Sequence, residues 1–468
     1  MLRILNQYVP RKLIYLVTTE VFLISLSVLC AARLRFWNDD ASFQDYTILP
    51  DFAIQSLVVV VVFQLCFYYN DLYNLTAVRG RSELVVRIGE ALGAGCLLLG
   101  LLYFLIPSLL MGRGVFFIGM ALTAGSVAVI RVMLDSLWTM GGFAQKVVII
   151  GTGQLAQTVA REIARRDDLH VAVTGFIAGQ GSDIPRDDKL FGRPVFGSTS
   201  DLSAIVTATQ ASKIVVALED YRGSLPTREL VRLRVEGVEV EDAHSLLASL
   251  SGSVWLESVR PSWFVFSSGF HRSRANLILK RIIDVLLAAI GLVLSAPLMV
   301  LVAVASRLDS EGPVIYEQRR VGLRGRCFEL LKFRSMRADA EKEGAPQWAS
   351  QDDPRITRAG KFWRLYRLDE LPQFLNVLRG EMSFVGPRPE RPEFVEMLRQ
   401  RIPFYDERHT VRPGITGWAQ VQYRYGSSVD DAVRKLEFDL FYLQHMSVLL
   451  DFLIIVKTVR IVLLGHGR

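Results

Sequence analysis

The chain has 468 residues, 51% of them hydrophobic, with a mean hydropathy of +0.29, a formal net charge of +7 and a pI near 9.2. That length exceeds one ordinary domain, and that apolar content excludes a wholly soluble protein. The basic balance comes without any nucleic-acid motif, so it points to anionic headgroups and phosphorylated substrates and not to DNA or RNA.

Four apolar stretches, residues 13–32, 52–69, 91–110 and 115–138, each approach the roughly 20 residues that cross a bilayer core. No small-residue cleavage site stands out after Cys30, so the first reads as a retained anchor and residues 1–140 as a four-helix transmembrane domain. Basic residues orient it: Arg3, Arg11 and Lys12 precede the first span, Arg79, Arg81 and Arg87 separate the second and third, and Lys146 follows the fourth. These segments, and everything after Trp138, are expected in the cytoplasm. Cys30, Cys66 and Cys96 lie in apolar stretches and Cys327 stands alone, so neither a disulfide framework nor a zinc site is expected.

Residues 145–245 read as a Rossmann-like α/β domain. Lys146-Val147-Val148-Ile149-Ile150-Gly151-Thr152-Gly153-Gln154-Leu155-Ala156 has the strand, glycine turn and helix of a βαβ unit. Further strands fit residues 171–177 and 213–218, with helices near Leu202 and Leu230. Gly151 and Gly153 are candidate nucleotide-binding positions, where phosphates would meet the N–H groups of a helix start. The competing reading is a structural module, because the second strand runs into Phe176-Ile177-Ala178-Gly179 without the acidic residue that grips a ribose.

A linker, residues 246–276, with Ser267-Ser268-Gly269 inside it, leads to an apolar segment at residues 277–308. Lys280 and Arg281 at its start and Arg307 at its end favour the same side of the membrane for both ends. Ser295-Ala296-Pro297 sits at its middle, where proline removes a donor and disfavours a straight helix. A helix–break–helix that enters and leaves one leaflet is expected, with Ser295 or packing covering the freed carbonyls. A kinked transmembrane helix is the alternative. Asp284 should pair with a basic neighbour at the interface.

The remaining motifs follow in order. Gln318-Arg319-Arg320-Val321-Gly322 is followed by Lys332-Phe333-Arg334-Ser335-Met336, then Asp353-Pro354-Arg355. Next comes Leu368-Asp369-Glu370-Leu371-Pro372, preceded by Lys361, Arg364 and Arg367. Gly386-Pro387-Arg388-Pro389, Pro413-Gly414-Ile415-Thr416-Gly417-Trp418 and Glu437-Phe438-Asp439 complete the set. Asp369 and Glu370 form a candidate nucleophile beside a candidate metal ligand; an isolated acidic pair would belong to a solvated helix face. The glycines at 414 and 417 point to turn geometry. Residues 447–464 are apolar but contain Asp451, Lys457 and Arg460, which suits a helix lying on the interface. Trp348, Trp363 and Trp418 are candidates for interfacial contacts or core packing.

Together these motifs, from about Lys280 onward, resemble the monotopic phosphoglycosyl transferases, bacterial enzymes that load a sugar 1-phosphate onto a polyprenyl phosphate. The resemblance implies a mainly α catalytic domain at residues 309–468, preceded by a re-entrant helix broken at Ser295 and Pro297. It assigns Asp369 as nucleophile and Glu370 as the Mg²⁺ ligand, with Lys332, Arg334, Arg364, Arg388 and Asp439 binding substrate or phosphate. Anionic phosphates must be brought together, so cations and Mg²⁺ have to spread charge off the transferring group. A carboxylate nucleophile lets one site treat a water-borne UDP-sugar and a membrane-borne undecaprenyl phosphate in turn. The implied location is the bacterial inner membrane, with the catalytic domain cytoplasmic, among membrane lipids; a homodimer is left open. Two other classes compete. A membrane-anchored NAD-dependent nucleotide-sugar epimerase or dehydratase would use the middle domain, which has no Tyr-x-x-x-Lys pair, and a non-enzymatic scaffold would sense a nucleotide through Gly151.

Overall fold

A computed structural model describes the chain except residues 1, 5–6, 49, 74–80, 140–144, 167–168, 170, 180–188, 219–224, 257–269, 271–272, 338–352, 424–425, 427 and 464–468. Arg79, Ser267-Ser268-Gly269 and Trp348 lie outside the described residues. The chain divides into two compact units, essentially residues 1–246 and residues 247–468.

In the first unit, two three-residue strands, β1 (Leu2–Ile4) and β2 (Gln7–Val9), precede helices α1 (Arg11–Arg35), α2 (Asp40–Ile48), α3 (Pro50–Tyr69), α4 (Arg81–Leu105) and α5 (Arg113–Thr139). Within α1, α3, α4 and α5 lie segments long and apolar enough to cross a membrane. Their mean hydropathy of 1.7 to 2.1 is that expected of helices exposed to lipid. One charged pair sits inside: Glu20 on α1 and Arg131 on α5 are buried 2.6 Å apart. Tyr73 donates to Glu20 Oε2 at 2.7 Å and Arg131 donates to the Leu72 carbonyl at 2.7 Å, so the pair ties α1 and α5 to the residues just past α3. The short helix α2 occupies the acidic segment between α1 and α3.

The same unit holds a six-stranded sheet in the order β5-β6-β4-β3-β7-β8: β3 (Gln145–Ile150), β4 (Val171–Ala178), β5 (Lys189–Leu190), β6 (Arg193–Ser198), β7 (Lys213–Val216) and β8 (Glu239–Asp242). All pairs are parallel except β5–β6. Helices α6 (Gln154–Arg165), α7 (Leu202–Thr209) and α8 (Thr227–Val235) connect the strands. Val147 to Ile150 are fully buried, as a central parallel strand demands. Gly151 has φ +125°, and a Cβ there would stand 2.3 Å from the Ala217 carbonyl oxygen, so only glycine fits. Gly153 caps α6. The β5–β6 hairpin carried no recognised signal in the sequence.

Helix α9 (Ala243–Ser251) leads into the second unit. There the apolar segment forms a single helix, α10 (Arg274–Asp309), capped by Ser273. Pro297 lies inside it, so the expected gap between two helices is absent: proline forfeits one hydrogen bond without ending the helix. Ser295 Oγ is buried and makes no hydrogen bond, so Ser295 does not cover a freed carbonyl.

Both ends of α10 bond to the same unit. Near its start Lys280 donates to the Val385 carbonyl at 3.1 Å and to Asp451 at 2.7 Å, while Asp284 accepts from Ser383 Oγ at 2.7 Å and Phe384 N at 3.0 Å. At its end Arg334 donates to the Ser306 carbonyl at 3.3 Å and also to that of Ser310, and Asp309 accepts from Ala359 N at 3.2 Å. Between these anchors Val293, Leu294, Val300 and Leu301 are exposed.

The rest of the unit is small strands and helices: the hairpin β9 (Ile315–Val321) and β10 (Cys327–Phe333), α11 (Arg358–Leu365), α12 (Gln373–Arg379), β11 (Ser383–Val385), α13 (Pro392–Arg401), β12 (Gly414–Thr416), α14 (Trp418–Gln422), α15 (Val429–His445) and α16 (Val448–Leu463). Its core gathers Val385, Leu398, Tyr405, Trp418, Leu436, Leu440, Phe441 and Leu450, with Val254 and Leu256 from the expected linker. Trp418 belongs to that core and donates to the Gly252 carbonyl at 2.7 Å. On α16 Leu450 and Ile454 pack into the core, and two charged side chains also turn toward the protein. Asp451 pairs with Lys280, Lys457 sits 4.7 Å over the Trp418 ring, and Leu449 and Phe452 are exposed.

Candidate active site

Lys332 enters the site from the end of β10. The hairpin presents alternate side chains to one face, and in its antiparallel register Lys332 lies opposite Tyr316. Asn376, fully buried on α12, fixes the neighbouring helix against this strand. Its Oδ1 accepts from Leu331 N at 3.0 Å and its Nδ2 donates to the Glu329 carbonyl at 2.7 Å. Nothing in the sequence pointed to this role of Asn376, because Leu331 and Glu329 are more than 40 residues away.

Asp369 and Glu370 occupy a 3-10 turn, Leu368–Glu370, between α11 and α12. Arg367 just before it takes the left-handed conformation, φ +53°, a cost of about 1–3 kcal/mol for a residue other than glycine, of the kind that collects at functional sites. Pro372 then starts α12. The turn buries both carboxylates.

Glu370 is surrounded by cations. Arg388 donates to its Oε1 at 2.7 Å, Lys332 Nζ stands 3.9 Å from the same oxygen, and Arg367 stands 4.0 Å from Oε2. Burial pushes the Glu370 carboxyl upward, but Arg388, Lys332 and Arg367 outweigh it and hold the group ionised, below the usual range. Asp369 goes the other way. Burial and the adjacent Glu370 charge raise it, against the pull of Lys332, Arg364 and Arg388. Among the described residues no donor reaches the Asp369 carboxylate, which leaves its oxygens free to act. Lys332 is itself pushed down by burial and by Arg388, with Glu370 and Asp369 opposing.

Arg388 comes from the Gly386-Pro387-Arg388-Pro389 turn after β11. This strand pairs in parallel with β12, and glycines let the two backbones meet: a Cβ at Gly414 would stand 2.1 Å from Gly386 N, and one at Gly417 2.2 Å from Gly386 O. That is the geometric reason for the Pro413-Gly414-Ile415-Thr416-Gly417 motif.

Lys332, Arg364, Asp369, Glu370 and Arg388 thus share one site. Two other expected members make different contacts. The described hydrogen bonds of Arg334 go to the end of α10, and Asp439 is fully buried on α15 with its Oδ2 2.9 Å from Arg408. Burial lifts Asp439 to about 6 against the pull of Arg408. Ser295 and Pro297 are on α10, and Gly151 and Gly153 are in the first unit.

Among the described residues no three His, Cys, Asp or Glu side chains converge as a metal cage. The donor set does suit Mg²⁺, which takes one or two carboxylates and leaves its other positions to water and substrate phosphates. Glu370 Oε2 is buried and accepts no hydrogen bond, so one hard oxygen ligand is present without a donor.

Residues 275–465 match the family described as bacterial sugar transferase, and residues 68–223 match that described as CoA-binding domain. A UDP-glucose:undecaprenyl-phosphate glucose-1-phosphate transferase of Xanthomonas campestris pv. campestris is 31% identical over 97% of this chain and 94% of its own length. An undecaprenyl-phosphate glucose phosphotransferase of Komagataeibacter xylinus is 34% identical over 68% of this chain, and a UDP-N-acetylgalactosamine-undecaprenyl-phosphate N-acetylgalactosaminephosphotransferase of Aeromonas hydrophila is 50% identical over 40% of it. The matched region spans 59% of the Komagataeibacter protein and 44% of the Aeromonas protein, less than two thirds of either.

Proposed function

Because this chain belongs to the bacterial sugar transferase family, we propose that it moves a sugar 1-phosphate from a UDP-sugar to undecaprenyl phosphate, releasing UMP, at the start of an exopolysaccharide, capsule or O-antigen unit. The observation that carries this reading is the buried Asp369–Glu370 pair among Lys332, Arg364, Arg367 and Arg388. A phosphoryl transfer between two anions needs that concentration of positive charge more than it needs acid–base groups.

An Asp369 oxygen attacks the phosphorus that bears the sugar, the bond from that phosphorus to the UMP oxygen breaks, and UMP leaves with the electron pair. An oxygen of undecaprenyl phosphate then attacks the same phosphorus, and the acyl-phosphate bond breaks to return the carboxylate. Lys332, Arg364 and Arg388 take up charge on the phosphoryl oxygens, where guanidinium forks match phosphate geometry. Glu370 would hold Mg²⁺ through Oε2, and the ion, when bound, adds neutralisation of the diphosphate.

Helix α10 is the re-entrant element of this reading. Its start bonds to Val385 and Asp451 and its end to Arg334 and Ala359, all in one unit, which supports placing both ends on the same side of the bilayer. Its exposed middle enters one leaflet, α16 lies on the interface, and the four apolar helices of the first unit span the inner membrane with the site cytoplasmic. The test is transfer itself. Purified protein with undecaprenyl phosphate and Mg²⁺ is offered radiolabelled UDP-glucose, UDP-galactose and UDP-N-acetylhexosamines. One donor should give a labelled lipid and UMP in equal amounts, lost with EDTA. Label released as free sugar, with no lipid product from any donor, would refute it.

A further inference from the structure

The turn that carries Arg388 is held at four backbone groups. Gly386 N donates to the Thr416 carbonyl at 2.9 Å, the Pro387 carbonyl accepts from Gly414 N at 2.9 Å, and the Pro389 carbonyl accepts from Arg320 at 3.1 Å. The carbonyl of Arg388 itself accepts from Arg408 at 2.9 Å.

Arg408 is unusual among these clamps because it is a buried charge, 6% exposed. Its NH2 lies 2.9 Å from Asp439 Oδ2, its NH1 donates to the Tyr405 hydroxyl at 2.7 Å, and its guanidinium stands over the Tyr405 ring at 5.2 Å. A buried guanidinium is costly without a partner, and Asp439 is that partner. The two sit on separate elements, the 3-10 run Tyr405–Thr410 and α15, and meet at one backbone oxygen of the site.

Resting on the transfer reaction above, we propose that Arg408, held by Asp439 and Tyr405, is a positioning residue that fixes the Arg388 carbonyl and so aims the Arg388 guanidinium at Glu370 and the transferring phosphoryl group. Asp439 acts through Arg408 and does not touch substrate. A side chain 2.7 Å from Glu370 Oε1 has little slack, and a shift of about 1 Å at such a group costs on the order of 100-fold in rate.

The test is a double-mutant cycle in the full-length enzyme. Arg408→Gln and Asp439→Asn are each made in the wild-type and Arg388→Lys backgrounds, and kcat, donor KM and melting temperature are measured with the donor and undecaprenyl phosphate. In the wild-type background each should lower kcat by about 10- to 100-fold with KM nearly unchanged, and in the Arg388→Lys background by less than about 3-fold, because residues that share one task do not add. Equal losses in both backgrounds overturn the positioning role, as does full activity of Asp439→Asn. If Arg408→Gln fails to fold, Asp439→Asn, which keeps the side chain's size, carries the cycle alone. A wild type that transfers no sugar phosphate would sink the transfer reading itself and this role with it. An active wild type with additive losses sinks only this role.

Discussion

Asp369 and Glu370 are neighbours in sequence and opposites in electrostatics. Glu370 has Arg388 at 2.7 Å and two further cations at about 4 Å, so it stays ionised, whereas Asp369 is raised by burial and by the Glu370 charge. A nucleophilic carboxylate must be deprotonated, so the single-turnover rate should rise with pH as Asp369 ionises and level off above its raised pKa. Glu370→Gln removes the neighbouring negative charge and should move that rise to lower pH while cutting the rate; stopped-time assays across acidic pH in the two proteins check this. A rate independent of pH through the acidic range would count against Asp369. The pair was legible in the sequence because both functions fall on adjacent residues framed by short motifs. Arg408 and Asn376 were not, since the contacts that place them, with Asp439 for one and with Glu329 and Leu331 for the other, join residues distant in sequence. Arg334 stands inside a recognised motif, yet its described hydrogen bonds serve the end of α10, a role that a basic residue near phosphate-binding neighbours does not announce.

At the scale of elements, helix α11 sits between Ser335 and the Asp369 turn, and its seating depends on Gly360. A Cβ there would lie 2.1 Å from the Ser335 carbonyl oxygen, a backbone atom that cannot swing away. Gly360→Ala should therefore push α11 off, displace Arg364 and Asp369, and destabilise by about 1–3 kcal/mol, read as a lower melting temperature with a loss of transfer. Helix α10 gives a second expectation. Single cysteines introduced at Arg274 and Ser310 in an otherwise cysteine-free protein should both react with an impermeant thiol reagent from the cytoplasmic face alone. Labelling from opposite faces would make α10 a simple span. The basic ends of α10 were readable as charge, but its continuity through Pro297 was not, because one proline subtracts one hydrogen bond and the neighbouring turns decide whether the helix goes on. Similarly, Asp451 and Lys457 suggested a wetted face on α16, and the fold turns both inward, one to Lys280 and one onto Trp418.

At the scale of the whole chain, the catalytic unit begins before the apolar helix. Val254 and Leu256 are buried in its core, Val254 N donates to the Glu437 carbonyl at 3.0 Å, and Gly252 receives the Trp418 N–H. A fragment starting at Leu247 should thus be more stable than one starting at Arg274 by about 3–6 kcal/mol, the burial of two aliphatic side chains, measurable by thermal unfolding in detergent. Equal stability would mean these contacts contribute nothing. Composition and spacing made the spans, the α/β module and the motif order readable, since those are periodic or local features. Residues 252–256 looked like a linker because three apolar residues in a row, Val254-Trp255-Leu256, are too few to show a period. A covalent route through Asp369 leaves a mass signature on one peptide, which mass spectrometry can detect. Full-length protein is incubated with Mg²⁺ and the donor sugar nucleotide in the absence of lipid acceptor, and the peptide containing Asp369 is sequenced. A phosphosugar on Asp369, discharged by undecaprenyl phosphate and missing from Asp369→Asn, is the expected result. An unmodified peptide alongside an Asp369→Asn enzyme that still transfers sugar phosphate to lipid would contradict it.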